Sequence, residues 1–173
     1  KTTIFNALTG ARQKVGNYPG VTVEWKQGFY KRGDLHLELF DLPGTYSLSA
    51  WSPDELVAAK VLLGDLAGEE PPDLAVVVVD AENLGRNLYL VTQVLETGVP
   101  TVVALNMVDL AERAGARIDT DGLSKTLGVP VVKTIASRRN GIDDLRKAIH
   151  DNLDAAAPRA PLVWPEVLER ESG

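Results

Sequence analysis

Lys1-Thr2-Thr3 precedes an apolar helical pattern. A lysine followed by hydroxyl residues at a helix start is how a Gly-x-x-x-x-Gly-Lys-[Ser/Thr] loop ends. In such a loop backbone N–H groups cradle phosphates, the lysine reaches the β and γ oxygens, and the hydroxyl holds magnesium. Asp41-Leu42-Pro43-Gly44 directly follows the apolar run 35–40. Its carboxylate therefore leaves the C-terminal end of a strand, where open α/β sheets bind ligands. Aspartate there can hold magnesium-bound water, and glycine lets a backbone N–H come close to a terminal phosphate. Asn106-Met107-Val108-Asp109 follows another apolar run and supplies an amide and a carboxylate. A carboxylate accepts from the N1–H and 2-amino groups of guanine, and adenine offers neither. Ser137, in Ala136-Ser137-Arg138 beyond the last run, is placed to offer a backbone N–H to the guanine carbonyl oxygen. Between Lys1 and Asp41, Thr22 lies in Gly20-Val21-Thr22-Val23-Glu24, where a loop would close over a γ-phosphate through magnesium. Each signal alone is commonplace, since Asp-x-x-Gly is usually a turn. Their order, each at the end of an apolar run, points jointly to a nucleotide-binding P-loop fold.

Those ends must be positioned by alternating strands and helices. Thr2–Thr9 reads as a helix stopped by Gly10, and 12–20 as a loop, because Gly, Asn and Pro crowd it. Residues 23–30 and 35–40 read as a hairpin, with Leu35, Leu37 and Leu39 alternating against His36 and Glu38. Ser52-Pro53-Asp54-Glu55 starts a helix that runs to about Leu63 and stops at Gly64. The runs 74–79, 101–105 and 130–135 read as strands buried on both faces. Residues 87–97 and 121–127 read as crossover helices and 142–153 as a closing helix. The expected fold is α/β: a P-loop GTPase, Ras-like, with a doubly wound, mostly parallel sheet and one antiparallel hairpin strand. Its first strand and glycine-rich loop are expected upstream of Lys1. Residues 1–155 are expected to form the GTP-binding domain, and 156–173 a linker and the start of a further segment.

The composition excludes several other classes. The 173 residues carry 18 Lys plus Arg against 24 Asp plus Glu, a net charge of −6, so nucleic acid is not an expected partner. Cysteine is absent, which removes disulfide scaffolds, thiolate zinc sites and thiol nucleophiles. The longest purely apolar run, 74–79, is far short of the roughly 20 residues that cross a bilayer. His36 and His150 do not suggest a metal site, and Trp25, Trp51 and Trp164 read as packing or partner-contact residues.

Over nearly its whole length the chain resembles the N-terminal cytosolic G domain of the FeoB ferrous-iron transporter family. Val15-Gly16-Asn17-Tyr18-Pro19-Gly20-Val21-Thr22-Val23-Glu24 resembles that family's first switch. Asp41-Leu42-Pro43-Gly44-Thr45-Tyr46-Ser47-Leu48, with Ser52-Pro53-Asp54-Glu55, resembles its second. Asp80-Ala81, Asn83-Leu84-Gly85-Arg86-Asn87-Leu88-Tyr89-Leu90 and Asn106-Met107-Val108-Asp109 are similar as well, with methionine where most small GTPases carry lysine. The resemblance implies GTP and GDP binding with Mg2+, slow hydrolysis, and the cytoplasmic face of an inner-membrane protein. Hydrolysis would be coupled to Fe2+ passage through helical and transmembrane permease regions of the same polypeptide, which can also assemble as a homo-oligomer. Carried over, Lys1 contacts the β and γ phosphates with Thr3 beside it in the nucleotide set. Thr2 and Thr22 ligate magnesium, and Asp41 reaches it through water. Gly44 offers its N–H to the γ-phosphate; Lys1, Thr22 and Gly44 form the catalytic group. Asn106 and Asp109 read guanine, with the Ser137 backbone at its carbonyl oxygen. Thr45 stands where Ras-like enzymes place the glutamine that orients water, so low intrinsic hydrolysis is expected. Members of the family use K+ with a P-loop asparagine, a position upstream of Lys1. Ala136 stands where the family commonly has serine. A soluble assembly GTPase acting on ribosomal or transfer RNA shares these signatures. The acidic charge weighs against it. A degenerate interaction module without nucleotide is the third reading.

Overall fold

β-branched residues dominate the strand β4 (Ala75–Asp80), while β5 (Thr101–Asn106) and β6 (Val131–Thr134) continue the pattern. The three pair in parallel in the order β4-β5-β6, with Asp80 opposite Asn106 and Asn106 opposite Thr134. The structure, a computed structural model, describes residues 1–10, 13–18, 23–32, 35–49, 51–65 and 70–154. Within it, β5 is buried from Thr101 to Leu105, which explains why its sequence is apolar without alternation. Successive side chains still divide between two faces. Val103 and Leu105 join Val77, Val79, Val91 and Val94 under the helix α3 (Leu84–Glu96). Val102 and Ala104 meet Ile4 and Leu8 of α1 (Thr2–Thr9), and Ile142, Leu145 and Ile149 of α6 (Ile142–Asp154).

A second sheet is antiparallel: β1 (Gln13–Asn17), β2 (Glu24–Arg32) and β3 (Leu35–Asp41), in that order. Leu37 and Leu39 of β3 pack into the same cluster as Ile4 and Leu8, so the two sheets share a core beneath α1 and α6. Among the described residues β3 and β4 share no ladder. Within the expected α/β class, the strands thus form one antiparallel and one parallel three-stranded sheet. α1 crosses close to β2 at Gly28, where an added Cβ would lie 2.5 Å from the Thr9 methyl.

Over Gln13–Asn17, β1 corrects the expectation of a loop across 12–20; residues 12, 19 and 20 lie outside the described residues. Val15 is its one strong β-former, and pairing with β2 imposes the strand. Gly16 lies opposite Trp25, and a Cβ there would meet the indole at 2.6 Å, so the glycine that reads as a loop signal is what admits the tryptophan. Trp25 in turn sets its ring edge to Phe40, centroids 6.3 Å apart.

α2 (Pro53–Leu63) follows the sequence closely. Ser52 accepts the Glu55 N–H at 3.2 Å, Glu55 Oε2 accepts the Trp51 N–H at 3.1 Å, and Gly64 ends the helix in the left-handed region. α3 starts earlier than expected, because Asp80 caps a 3₁₀ turn at Ala81–Asn83 by accepting from Glu82 N and Asn83 Nδ2. α4 (Val108–Arg113) was not legible from periodicity, while α5 (Thr120–Leu127) begins one residue before the expected 121 and is capped by Asp119, which accepts the Gly122 N–H. The domain boundary expected at 155 falls at the edge of the described residues, and 156–173, with Trp164, lie outside them.

Candidate nucleotide site at the strand ends

Lys1 and Asp41 are far apart in sequence and meet at the end of β3. Lys1 Nζ lies 3.0 Å from Asp41 Oδ1 and also donates to the Leu42 carbonyl. The Asp41 side chain is only 8% exposed, so it needs this cation, whereas the Lys1 side chain is 38% exposed and open to a further partner. Thr2 and Thr3 stand exposed in the first turn of α1, beside the ion pair. Gly44 is exposed three residues past Asp41, and among the described residues nothing beyond its chain neighbours comes within 4 Å of where its Cβ would be. That open space lets an incoming group reach its backbone.

The second half of the site lies at the ends of β5 and β6. Asn106 Oδ1 accepts the Ala136 N–H at 3.0 Å and the Thr134 hydroxyl at 3.2 Å. These bonds brace the 3₁₀ turn Ala136–Arg138, on which Ser137 is exposed. Ala136 itself is buried in the cluster that contains Ile4, so the helix beginning after Lys1 packs against the turn carrying Ser137. Met107 adopts φ +64° and turns the chain into α4, whose first turn places the half-buried Asp109 beyond the strand end. Gly141 closes the loop with φ +74°, and an added Cβ would lie 2.0 Å from the Lys133 carbonyl oxygen. Gly141→Ala is accordingly expected to cost about 2 kcal/mol or more and to lower the melting temperature by several degrees, as a thermal melt would show.

The structure therefore brings Lys1 to Asp41 and Asn106 to the Ser137 turn; Thr22 lies outside the described residues. Sequence reading missed Thr134, a buried polar residue at 1% exposure that holds Asn106 in place. The available signal was a hydroxyl closing the short strand that Val131 and Val132 open. It also missed Arg86 and Gln93 of α3, which touch the segment after Gly44. A cavity of about 710 Å³ between α1, β2 and α6 is lined by none of the motif residues, so the strand-end chemistry, not that cavity, locates this site. Among the described residues no group of three or more His, Cys, Asp or Glu could hold a metal ion, and no helix is long and apolar enough to cross a membrane.

A family model, ferrous iron transport protein B, matches residues 1–149. The Fe(2+) transporter FeoB of Salmonella typhimurium is 49% identical over 172 residues, covering 94% of this chain but 22% of that protein. The chain thus spans about a fifth of the length of such relatives. Among solved structures, a GDP-bound point mutant of the S. thermophilus FeoB G-domain is 46% identical with TM-score 0.81, covering 98% of this chain and 64% of that one. The cytosolic domain of T. maritima FeoB in GMPPNP form is 39% identical with TM-score 0.83, covering 98% and 66%. These matches do not favour the RNA-associated assembly GTPase. The order of strand-end motifs, the packing of α1 against the Ser137 turn and the match over residues 1–149 agree: the chain belongs to the ferrous iron transport protein B family and has the fold of its P-loop GTPase domain.

Proposed function

We propose that this chain binds GTP and GDP at the strand ends, hydrolyses GTP slowly, and serves as the cytoplasmic regulatory domain of a longer membrane protein that moves Fe2+. The observation that carries the reading is the Lys1–Asp41 pair at 3.0 Å, set at the end of β3 where the Asp-Leu-Pro-Gly segment begins. The relatives' GDP and GMPPNP complexes support it. Residues 1–155 act as the G domain, and 156–173 lead toward helical and permease regions of the same polypeptide.

Lys1 supplies positive charge to the β and γ phosphates. The hydroxyls of Thr2 and Thr22 and the carboxylate of Asp41 are hard oxygen donors and fit Mg2+, which neutralises phosphate charge when bound. Gly44 offers its N–H to the γ-phosphate, with Thr3 alongside in the first turn of α1. Asp109 accepts from the guanine N1–H and 2-amino groups, while Asn106, whose Oδ1 is held by Ala136, turns Nδ2 toward the base. The Ser137 backbone completes base recognition. Thr45 has no carboxamide to orient water, which keeps hydrolysis slow, and K+ beside the phosphates would add transition-state charge.

Phosphate release measured with GTP and with ATP tests this reading: slow, magnesium-dependent release from GTP alone is expected, and equal release from ATP would overturn it. Thr22→Ala is expected to weaken a GTP analogue by about tenfold through its lost γ-phosphate-dependent contact, with GDP affinity largely unchanged. An equal loss for GDP would remove Thr22 from the γ-phosphate site.

A further inference from the structure

Among the described residues nothing beyond its chain neighbours lies within 4 Å of where a Gly44 Cβ would be, so the anchors on either side set its place. Upstream, Leu42 packs into the core and gives its carbonyl to Lys1. Downstream, the anchors belong to α3. Gln93 Oε1 accepts the Leu48 backbone N–H at 2.9 Å, and the Arg86 guanidinium lies 3.8 Å from the centre of the Tyr46 ring. Gln93 is itself oriented by Tyr89, whose hydroxyl accepts from Nε2 at 3.3 Å. Between these grips the chain makes a local turn, with the Ser47 N–H donating to Thr45 Oγ1 at 3.1 Å and the Ser49 N–H to Ser47 Oγ at 3.0 Å. Tyr46 lies two residues from Gly44, too short a span for the glycine to move independently of the stacked ring.

We infer that Arg86 and Gln93 are positioning residues for the γ-phosphate: from α3 they hold Tyr46 and Leu48, and thereby fix the Gly44 N–H where a terminal phosphate is met. This rests on the assignment of Gly44 proposed above. GDP lacks the γ-phosphate, so the two residues should affect GTP and GDP unequally. A merely structural role would lower both affinities together.

The test measures GMPPNP and GDP affinities by titration with magnesium. Arg86→Ala and Gln93→Ala are each expected to weaken GMPPNP by about threefold and the double variant by about tenfold, with GDP within twofold of the parent. Gln93→Glu retains an acceptor for the Leu48 N–H and is expected to recover most of the loss. Tyr46→Phe, which keeps the ring, should behave as the parent; Tyr46→Ala combined with Arg86→Ala should lose no more than either alone. Gly44→Ala separates the two layers of the argument. If it weakens GMPPNP selectively while the α3 variants leave the GMPPNP-to-GDP ratio unchanged, the positioning role is overturned and the Gly44 reading stands. If Gly44→Ala also leaves the ratio unchanged, the Gly44 assignment itself fails.

Discussion

Asp109→Asn is expected to weaken GDP by about a hundredfold and to bring xanthosine diphosphate to comparable or better affinity. The carboxylate accepts from both N1–H and the 2-amino group of guanine. An asparagine side chain presents an NH2 to one of those donors, leaving it unpaired at a cost of about 1–3 kcal/mol together with the lost bond. Xanthine carries an oxygen at position 2, which takes the hydrogen from that NH2. Asp109 sits in the first turn of α4, where its charge favours the helix by only about 0.3–1 kcal/mol, so the fold should persist. Titrations of both nucleotides on the folded variant decide the matter; unchanged base preference removes Asp109 from the site.

Lys1→Ala carries the second large effect, and it acts twice. At the phosphates it removes a charge-assisted donor worth about 1.5–3 kcal/mol per bond, so GDP and GTP should both weaken by about a hundredfold or more. Within the protein it strands the Asp41 carboxylate, whose side chain is 8% exposed. Because Lys1 is more than one-third exposed and solvent screens the pair, the stability loss should stay near about 1 kcal/mol. Adding Asp41→Asn relieves the stranded charge. The double variant is therefore expected to regain melting temperature without regaining affinity, and recovery of both would mean that the lysine acts only through Asp41.

The parts of the fold that were legible in the sequence are those whose cause is local. β5 announces itself because burial on both faces selects an unbroken apolar run from Val102 to Leu105, and α2 because Ser52, Glu55 and Gly64 satisfy its own ends. The strand-end motifs were legible for the same reason, since Asp41 and Asn106 each directly follow an apolar run. The remaining features arise between distant segments. β1 exists because β2 pairs with it and because Gly16 yields space to Trp25. The division into two sheets depends on which strands find partners, which no single run states. Asn106 reads from sequence as a base contact, yet its Oδ1 is spent on Ala136 and Thr134, so it also builds the turn that carries Ser137. Arg86 and Gln93 sit within an ordinary helical pattern, and only the chain's return past α3 brings Tyr46 and Leu48 to them.

The most direct test of the central claim is a calorimetric titration of GDP and ADP, with magnesium, against the chain after a cooperative thermal melt has been recorded. GDP is expected to bind and ADP to be weaker by about a hundredfold or more, because adenine lacks the donors that Asp109 accepts. Equal affinity for the two, or no GDP binding by a cooperatively folded chain, would contradict it.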